Sequence, residues 1–461
     1  MKRTTSPDLL LRIERRGPPL RAQLERELRA AIRTGRLRHG MPLPSSRALA
    51  ADLGVSRGLV VEAYEQLLAE GYVTARRGSA TTVAARRLGP ERIAGPEPKA
   101  ARPRYDFRPG VPDPSHFPRR AWLASLRRVL MGAPHSAFGY PDFRGTATVR
   151  TALADYLNRA RGTAADASRI VLSTGFTQGF RLVCQALRAR GARAVAIEDP
   201  SQVEQRAAIE AAGMKAIPVP VDRAGLVVAK LEKSRADAVL VTPAHQYPTG
   251  AALSPERRAA LLAWAARRSA YVVEDDYDAE YRYDREPVGA LQGVAPERIV
   301  YVGSASKTLA PTLRLGWLVP PADLAPAIAH AKRLEDMGSP GLEQLAFADF
   351  IAAGELDRHL RRMRAHYRAK RDVLVAALAA RLPDVHVSGI AAGLHLMLEL
   401  PSGWDEQAIV AAAAERSVGV FSASRYCAKA RLPPALVLGY GAIEVEAIPP
   451  AVERLAAAIR G

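Results

Sequence analysis

Apolar residues recur at helical spacing over 20–32, where Leu20, Leu24, Leu28, Ala31 and Ile32 fall on one face. Gly35 and Gly40 interrupt that pattern. Pro42 and Pro44 then lead into Ser45 and Ser46, hydroxyls suited to cap a helix over 46–53. Gly54 stops it, and Ser56 can cap a second helix whose Leu59, Val60, Ala63, Tyr64, Leu67 and Leu68 share a face. Two short helices across a Gly-Val-Ser turn predict a helix-turn-helix. Beyond Gly71, Tyr72-Val-Thr-Ala75 and Thr81-Thr-Val83 flank a basic Arg76-Arg77-Gly78-Ser79 turn, which predicts a hairpin wing with an electropositive tip.

The pattern changes after residue 104. Short apolar runs, Ile170-Val-Leu, Ala194-Val-Ala-Ile, Ala238-Val-Leu-Val, Tyr271-Val-Val and Ile299-Val-Tyr-Val, alternate with Ala-rich helical segments. That alternation predicts an α/β fold with a largely parallel sheet covered on both faces. Residues 88–104, LGPERIAGPEPKAARPR, carry four prolines, two glycines and few apolar side chains, as a solvated linker should. The expected organisation is a helix-turn-helix unit over 1–87, a linker over 88–104, and a large unit over 105–461 whose smaller C-terminal part begins near 345.

Composition sharpens this division. The 461 residues include 66 Lys plus Arg against 47 Asp plus Glu, a formal charge of +19. Residues 1–90 hold +9 of it and the remaining 371 hold +10, so the basic excess is about four times denser at the N-terminus. Such an excess suits a polyanionic partner, nucleic acid ahead of a membrane, although an Arg-rich surface that only aids solubility would look similar. Cys184 and Cys427 lie far apart, which excludes a disulfide framework and a Cys-based zinc cluster. No apolar stretch is long enough to span a membrane and the N-terminus lacks a signal-peptide core, so the expected location is the cytoplasm, with no membrane partner.

For the first unit the physics favours double-stranded DNA. Ser45, Ser46 and Ser56 can bond phosphates, Arg47 and Arg57 can supply charge or base-edge contacts, and Arg76 and Arg77 can follow the backbone or probe the minor groove. A protein-interaction module would share this outline. RNA is disfavoured because no aromatic stacking platform is present.

In the large unit, four clusters follow strands, where open α/β sheets hold ligands. Ser173-Thr-Gly-Phe-Thr-Gln178 opens a helix whose amides suit a phosphate, Thr249-Gly250 makes a tight turn, Glu274-Asp275-Asp276-Tyr277 brings carboxylates, and Gly303-Ser-Ala-Ser-Lys307 brings a lysine and two hydroxyls. Singly these read as strand-to-helix joints, helix caps, metal ligands or solvated charges. Together they match pyridoxal 5'-phosphate, which needs a lysine for its aldehyde, an acid for its ring nitrogen and donors for its phosphate. No metal site is expected.

Both units resemble known families. GRLRHGMPLPSSRALAADLGVSRGLVVEAYEQLLAEGYVTARRGSATTV resembles the winged helix of GntR-superfamily regulators, although Gly58-Leu59 stands where that family often has a small polar pair. From about Asp106 onward the chain resembles fold-type-I aminotransferases. The resemblance makes Lys307 the Schiff-base lysine, Asp275 the ring-nitrogen partner and Tyr277 the tyrosine reaching the ring hydroxyl. It makes Ser304, Ser306, Arg314 and the amides around Gly175, Phe176 and Thr177 phosphate ligands. It also makes Tyr140, in YPDFRG, a ligand to the phosphate of a neighbouring subunit, which implies a homodimer.

Tyr247 in TPAHQYPTG replaces the asparagine of typical aminotransferases, and that form, with EDDYDAEYRYD and HLRRMRAHYRAKR, is similar to MocR-type regulators, which fuse these two domains. Gln202 stands where relatives carry a ring-stacking tyrosine. Arg206 and, more weakly, Arg425 resemble arginines that bind an effector carboxylate. The resemblance thus implies a promoter-binding regulator that senses a small amino compound, or pyridoxal phosphate itself, without turnover. The rival expectations are an active aminotransferase with a DNA-binding appendage and a regulator that has lost its cofactor.

Overall fold

The computed structural model describes residues 9, 11, 13–14, 17–75, 80–84, 103–284 and 288–460. The chain divides into two compact units, Met1–Ala101 and Arg102–Gly461.

In the first unit three helices, Leu20–Arg33, Ser46–Leu53 and Arg57–Ala69, pack around Leu24, Leu28, Ile32, Leu49, Val60, Ala63 and Leu67. Their ends follow from local chemistry. The Ser45 hydroxyl accepts from the Ala48 amide at 3.2 Å and Ser56 from Leu59 at 3.3 Å, satisfying amides that have no intrahelical acceptor. Gly54 ends the second helix at φ 62°, a conformation glycine adopts without steric cost. The buried Tyr64 hydroxyl donates to the Pro44 carbonyl at 2.9 Å and so ties the third helix to the loop before the second. Leu68, 43% exposed, lies at the edge of the apolar face rather than within it. Val73–Thr74 and Thr82–Val83 pair antiparallel as the wing, and its tip, with Arg76 and Arg77, lies outside the described residues.

The second unit is built on an eight-stranded mixed sheet. Ala194–Asp199, Lys215–Asp222, Ala238–Val241, Tyr271–Asp275 and Ile299–Ser304 run parallel. Gly316–Val319 runs antiparallel between Ile299–Ser304 and Val171–Ser173. Residues of one strand alternate between two cores: Val195 and Ile197 face one and Ala196 the other, as Val273 and Val272 do. Both faces are therefore dry, which is why these strands read as unbroken apolar runs. Because Gly316–Val319 reverses direction, Val171–Ser173 points the same way as the parallel strands. Ser173, Asp199, Val241, Asp275 and Ser304 thus end at one edge of the sheet.

A four-stranded antiparallel sheet, in the order His386–Ser388, His395–Glu399, Ala435–Gly439 and Phe421–Ser422, forms the smaller C-terminal part beside the 27-residue helix Glu355–Arg381. The strand Tyr105–Asp106 does not join the large sheet. It pairs with Val418–Gly419, so the chain enters this unit through its C-terminal part. No helix among the described residues is long and apolar enough to cross a membrane.

Candidate functional site

The helix-turn-helix presents its charges outward. Ser45, Arg47, Ser56 and Arg57 are exposed and Ser46 is half-buried, with Arg57 Nε 3.5 Å from the Ser46 hydroxyl. Ser45 and Ser56 use an oxygen lone pair for capping, which leaves each hydroxyl proton free to donate outward. The sequence did not separate those two roles.

At the edge of the large sheet, Ser304 caps the short turn Ala305–Thr308 through the Ser306 amide at 3.0 Å, and the two serine hydroxyls lie 2.8 Å apart. Lys307 sits in that turn, half-buried, and its ammonium donates to the Gly110 carbonyl. Burial lowers its pKa from the ordinary lysine value, against the opposing pull of Asp278 and Asp275. A larger share of neutral, nucleophilic amine follows.

Three consecutive acids end the strand Tyr271–Asp275 and its loop, and their fates differ. Glu274 accepts the Leu291 and Gln292 amides at 2.8 and 3.0 Å. Asp276 takes Arg161 at 2.8 Å and the Tyr301 hydroxyl at 2.7 Å. Asp275, between them and 8% exposed, meets no hydrogen-bond donor among the described residues. Its carboxyl is pushed well above the usual range by burial and by the neighbouring Asp276 and Asp278 charges. A carboxyl so largely shielded from water gains from a cationic donor in the crevice. Tyr277, half-buried, donates to the His245 carbonyl at 2.9 Å and lies 3.1 Å from His245 Nδ1.

Gly175, at φ 117°, opens the helix Phe176–Ala189. A Cβ at Gly175 would come within 3.1 Å of Arg314 Nη2, and one at Gly316 within 2.7 Å of the Gly175 Cα. Gly316 is also the cross-strand partner of Ser304. The structure therefore gathers Arg314, the amides at Gly175, Phe176 and Thr177, and the Ser304–Ser306 pair into one cradle of donors, as suits an anion.

The remaining expected residues are more scattered. Tyr140 is 96% exposed, so within one chain it is not folded into this site. Gln202 precedes the helix Val203–Ala211 and makes no capping bond. Arg206, on that helix, has a buried Nε without a hydrogen-bond partner among the described residues. Arg425 is exposed, with its guanidinium 5.8 Å from the Phe421 ring centroid. The turn carrying Arg425 is tied to the loop before Arg206 by the Ser201 amide, which donates to the Tyr426 carbonyl at 3.0 Å.

Sequence reasoning missed a buried group beside these residues: His245, Asp278 and His395, whose ligand-type atoms lie within 4.8 Å of one another. His245 sits inside the quoted TPAHQYPTG segment and Asp278 inside EDDYDAEYRYD, but His395 occupies an ordinary apolar strand and gave no signal. Missed as well was Glu198, 4% exposed, which accepts from the Thr242 hydroxyl at 2.5 Å and whose carboxyl burial pushes up to about 7.

Residues 110–436 match the model of aminotransferase class I and II, and residues 20–83 match that of bacterial regulatory proteins of the gntR family. The chain is 34% identical over 424 residues to the HTH-type pyridoxine biosynthesis transcriptional regulator PdxR of Corynebacterium glutamicum, covering 91% of each. It is 31% identical over 450 residues to the probable rhizopine catabolism regulatory protein MocR of Rhizobium meliloti, covering 92% of this chain and 91% of the other. Among solved structures, an archaeal alanine:glyoxylate aminotransferase superposes with a TM-score of 0.72 at 25% identity, over 78% of this chain and 92% of that one.

Proposed function

We propose that this chain, which belongs to the class I and II aminotransferase family and carries a gntR-family regulator domain ahead of it, is a DNA-binding transcriptional regulator that senses a small amino compound. One observation carries the reading. Regulators of this class match the chain along nine-tenths of its length, across both units, rather than over the aminotransferase-like part alone.

The cofactor of the fold is pyridoxal 5'-phosphate, and the residues at the sheet edge fit it. Asp275 is a buried acid that no donor reaches among the described residues, the Gly175 turn leaves space against Arg314 that a side chain would fill, and Lys307 has a lowered proton affinity. Lys307 would hold its aldehyde carbon, Asp275 its ring nitrogen and Tyr277 its ring oxygen. Ser304, Ser306, Arg314 and the amides of Gly175, Phe176 and Thr177 would hold its phosphate. When bound, the group supplies an electrophilic carbon that takes up a primary amine.

The protein's own part is to bind and orient. Arg314 and the helix N-terminus would hold the anion, Asp275 would pair with the ring nitrogen, and Lys307 would receive and return a proton at Nζ. Arg206, whose buried Nε has no hydrogen-bond partner among the described residues, would take an effector carboxylate, with Arg425 as a weaker second candidate. An effector shifts DNA binding only as far as it prefers one arrangement of the protein over another.

In the first unit Ser45, Ser46, Arg47, Ser56 and Arg57 would face promoter DNA, in the cytoplasm where that DNA lies. A homodimer is supported by the exposed apolar side chains Leu123, Leu130, Met131 and Phe138, which lie close in sequence to Tyr140. In that dimer Tyr140 would reach the neighbouring subunit's phosphate site.

The test uses full-length protein with pyridoxal phosphate and a promoter fragment. Borohydride should fix the cofactor to Lys307, and a panel of amino compounds should contain one that changes retardation of the fragment without accumulating an oxo acid. Repeated turnover to an oxo acid would instead support the enzyme reading, which the lowered proton affinity of Lys307 also suits.

A further inference from the structure

His245, Asp278 and His395 come from three separate segments, the loop after Ala238–Val241, the loop after Tyr271–Asp275 and the strand His395–Glu399, and all three are buried. His245 Nδ1 lies 3.0 Å from Asp278 Oδ2. A carboxylate oxygen accepts, so this hydrogen bond places a ring proton on Nδ1. The pair is built in tightly. A Cβ at Gly393 would overlap both Asp278 Oδ2 and the His245 ring, so only glycine leaves room for their contact.

The tautomer matters because of Tyr277. Its hydroxyl is 3.1 Å from His245 Nδ1 and donates to the His245 carbonyl at 2.9 Å. A phenol has one proton. With Nδ1 protonated, the ring cannot accept that proton, which stays available for the carbonyl or for a ligand oxygen. With Nδ1 bare, the ring becomes a strong acceptor beside the phenol and withdraws its proton from the site. The Asp278 carboxylate decides between these states.

We propose that Asp278 is a positioning residue which, by fixing the His245 tautomer, keeps Tyr277 a hydrogen-bond donor toward the cofactor's ring oxygen. This rests on the reading that Tyr277 faces that oxygen and that Lys307 holds the cofactor. The titratable groups facing Tyr277 are Asp275 and Asp278 from its own segment, His245 and Tyr247 from the loop after Ala238–Val241, and Glu198 from the neighbouring strand. His395, whose ring centroid lies 4.9 Å from that of His245, is kept neutral by burial. It therefore adds no charge to the network.

The experiment is a spectrophotometric pH titration of cofactor-loaded protein, read as the midpoint at which the visible absorbance changes. Tyr277→Phe removes a donor to an anionic oxygen and should raise the midpoint by about one unit. Asp278→Ala has two effects: loss of a negative charge near Lys307 lowers the midpoint, and release of the tautomer raises it.

A double-mutant cycle with His245→Phe separates them, since phenylalanine cannot accept the phenol proton. The midpoint of Asp278→Ala should lie at least about half a unit above the value that additivity with His245→Phe predicts. This excess should vanish when Tyr277 is phenylalanine. An Asp278→Ala effect that is the same with and without the His245 ring overturns the inference. A Tyr277→Phe midpoint equal to wild type overturns the reading beneath it. If Asp278→Ala does not fold, Asp278→Leu, of similar size and unable to accept from Nδ1, is read in the same cycle.

Discussion

The Lys307 ammonium donates to the backbone carbonyl of Gly110, a residue 197 positions earlier in the chain. Gly110 lies four residues past the strand Tyr105–Asp106, which pairs with Val418–Gly419. The segment that follows the linker is therefore held at one end by the C-terminal part and at the other by the lysine expected to carry the cofactor.

Removing that donor should loosen the segment. A hydrogen bond from a charged donor contributes about 1.5–3 kcal/mol net. In Lys307→Ala, amide hydrogen exchange over residues 107–111 should rise at least about ten-fold, with no change in the helix Arg57–Ala69. Unchanged exchange over 107–111 would mean that the contact does not restrain the segment.

Arg161 and Asp276 form a buried ion pair at 2.8 Å, with both side chains almost fully excluded from water. The Tyr301 hydroxyl adds a third group at 2.7 Å. Arg161→Met leaves the Asp276 charge without a counter-ion and should cost about 3–5 kcal/mol. Urea unfolding followed by tryptophan fluorescence reads this directly, because all four tryptophans, at positions 122, 264, 317 and 404, lie in the same unit. The double substitution Arg161→Met/Asp276→Asn should recover part of the loss.

Glu198 sets a pH dependence whose sign is fixed by burial. Its carboxyl holds a proton up to about 7 in the folded chain against an ordinary value of 4.5. Between those values the unfolded chain binds fewer protons than the folded one, so this group's contribution to stability falls as pH rises from 4.5 to 7. The full loss is about 3 kcal/mol. Glu198→Gln should remove it. The stability difference, variant minus wild type, should therefore grow in favour of the variant across that window in urea titrations at several pH values. A flat difference would show that Glu198 ionises normally.

Arg47 and Arg57 are exposed on the helix-turn-helix, and Arg57 is steadied by the Ser46 hydroxyl at 3.5 Å. Each alanine substitution that removes a phosphate contact should reduce the slope of log affinity against log salt by about one. If Arg57 instead reads a base edge, the slope should stay and discrimination between promoter variants should fall. Fluorescence anisotropy across a salt series distinguishes the two. No change in either quantity would remove Arg57 from the interface.

Much of this architecture was legible in order along the chain. Helix caps at Ser45 and Ser56, the stop at Gly54 and the apolar strand runs are local signals, set within a few residues by backbone hydrogen bonding and side-chain burial. The site motifs were legible for a related reason: ligands collect at strand ends, and strand ends carry short polar runs such as those ending in Asp275 and Lys307. The antiparallel insertion of Gly316–Val319 was not, since strand order depends on which edges meet after folding.

Sequence by itself determined the two-part organisation, the α/β character of the large part and the candidate lysine, acid and anion-binding turn. Tertiary structure alone decided that Glu274 and Asp276 are engaged while Asp275 between them meets no hydrogen-bond donor among the described residues. It alone brought His395 beside His245 and set Gly110 against Lys307. The physical reason is range. Capping and periodicity act over a few residues, whereas a carboxylate's ionisation or an imidazole's tautomer depends on whichever groups the fold brings within about 4 Å, however distant in the chain.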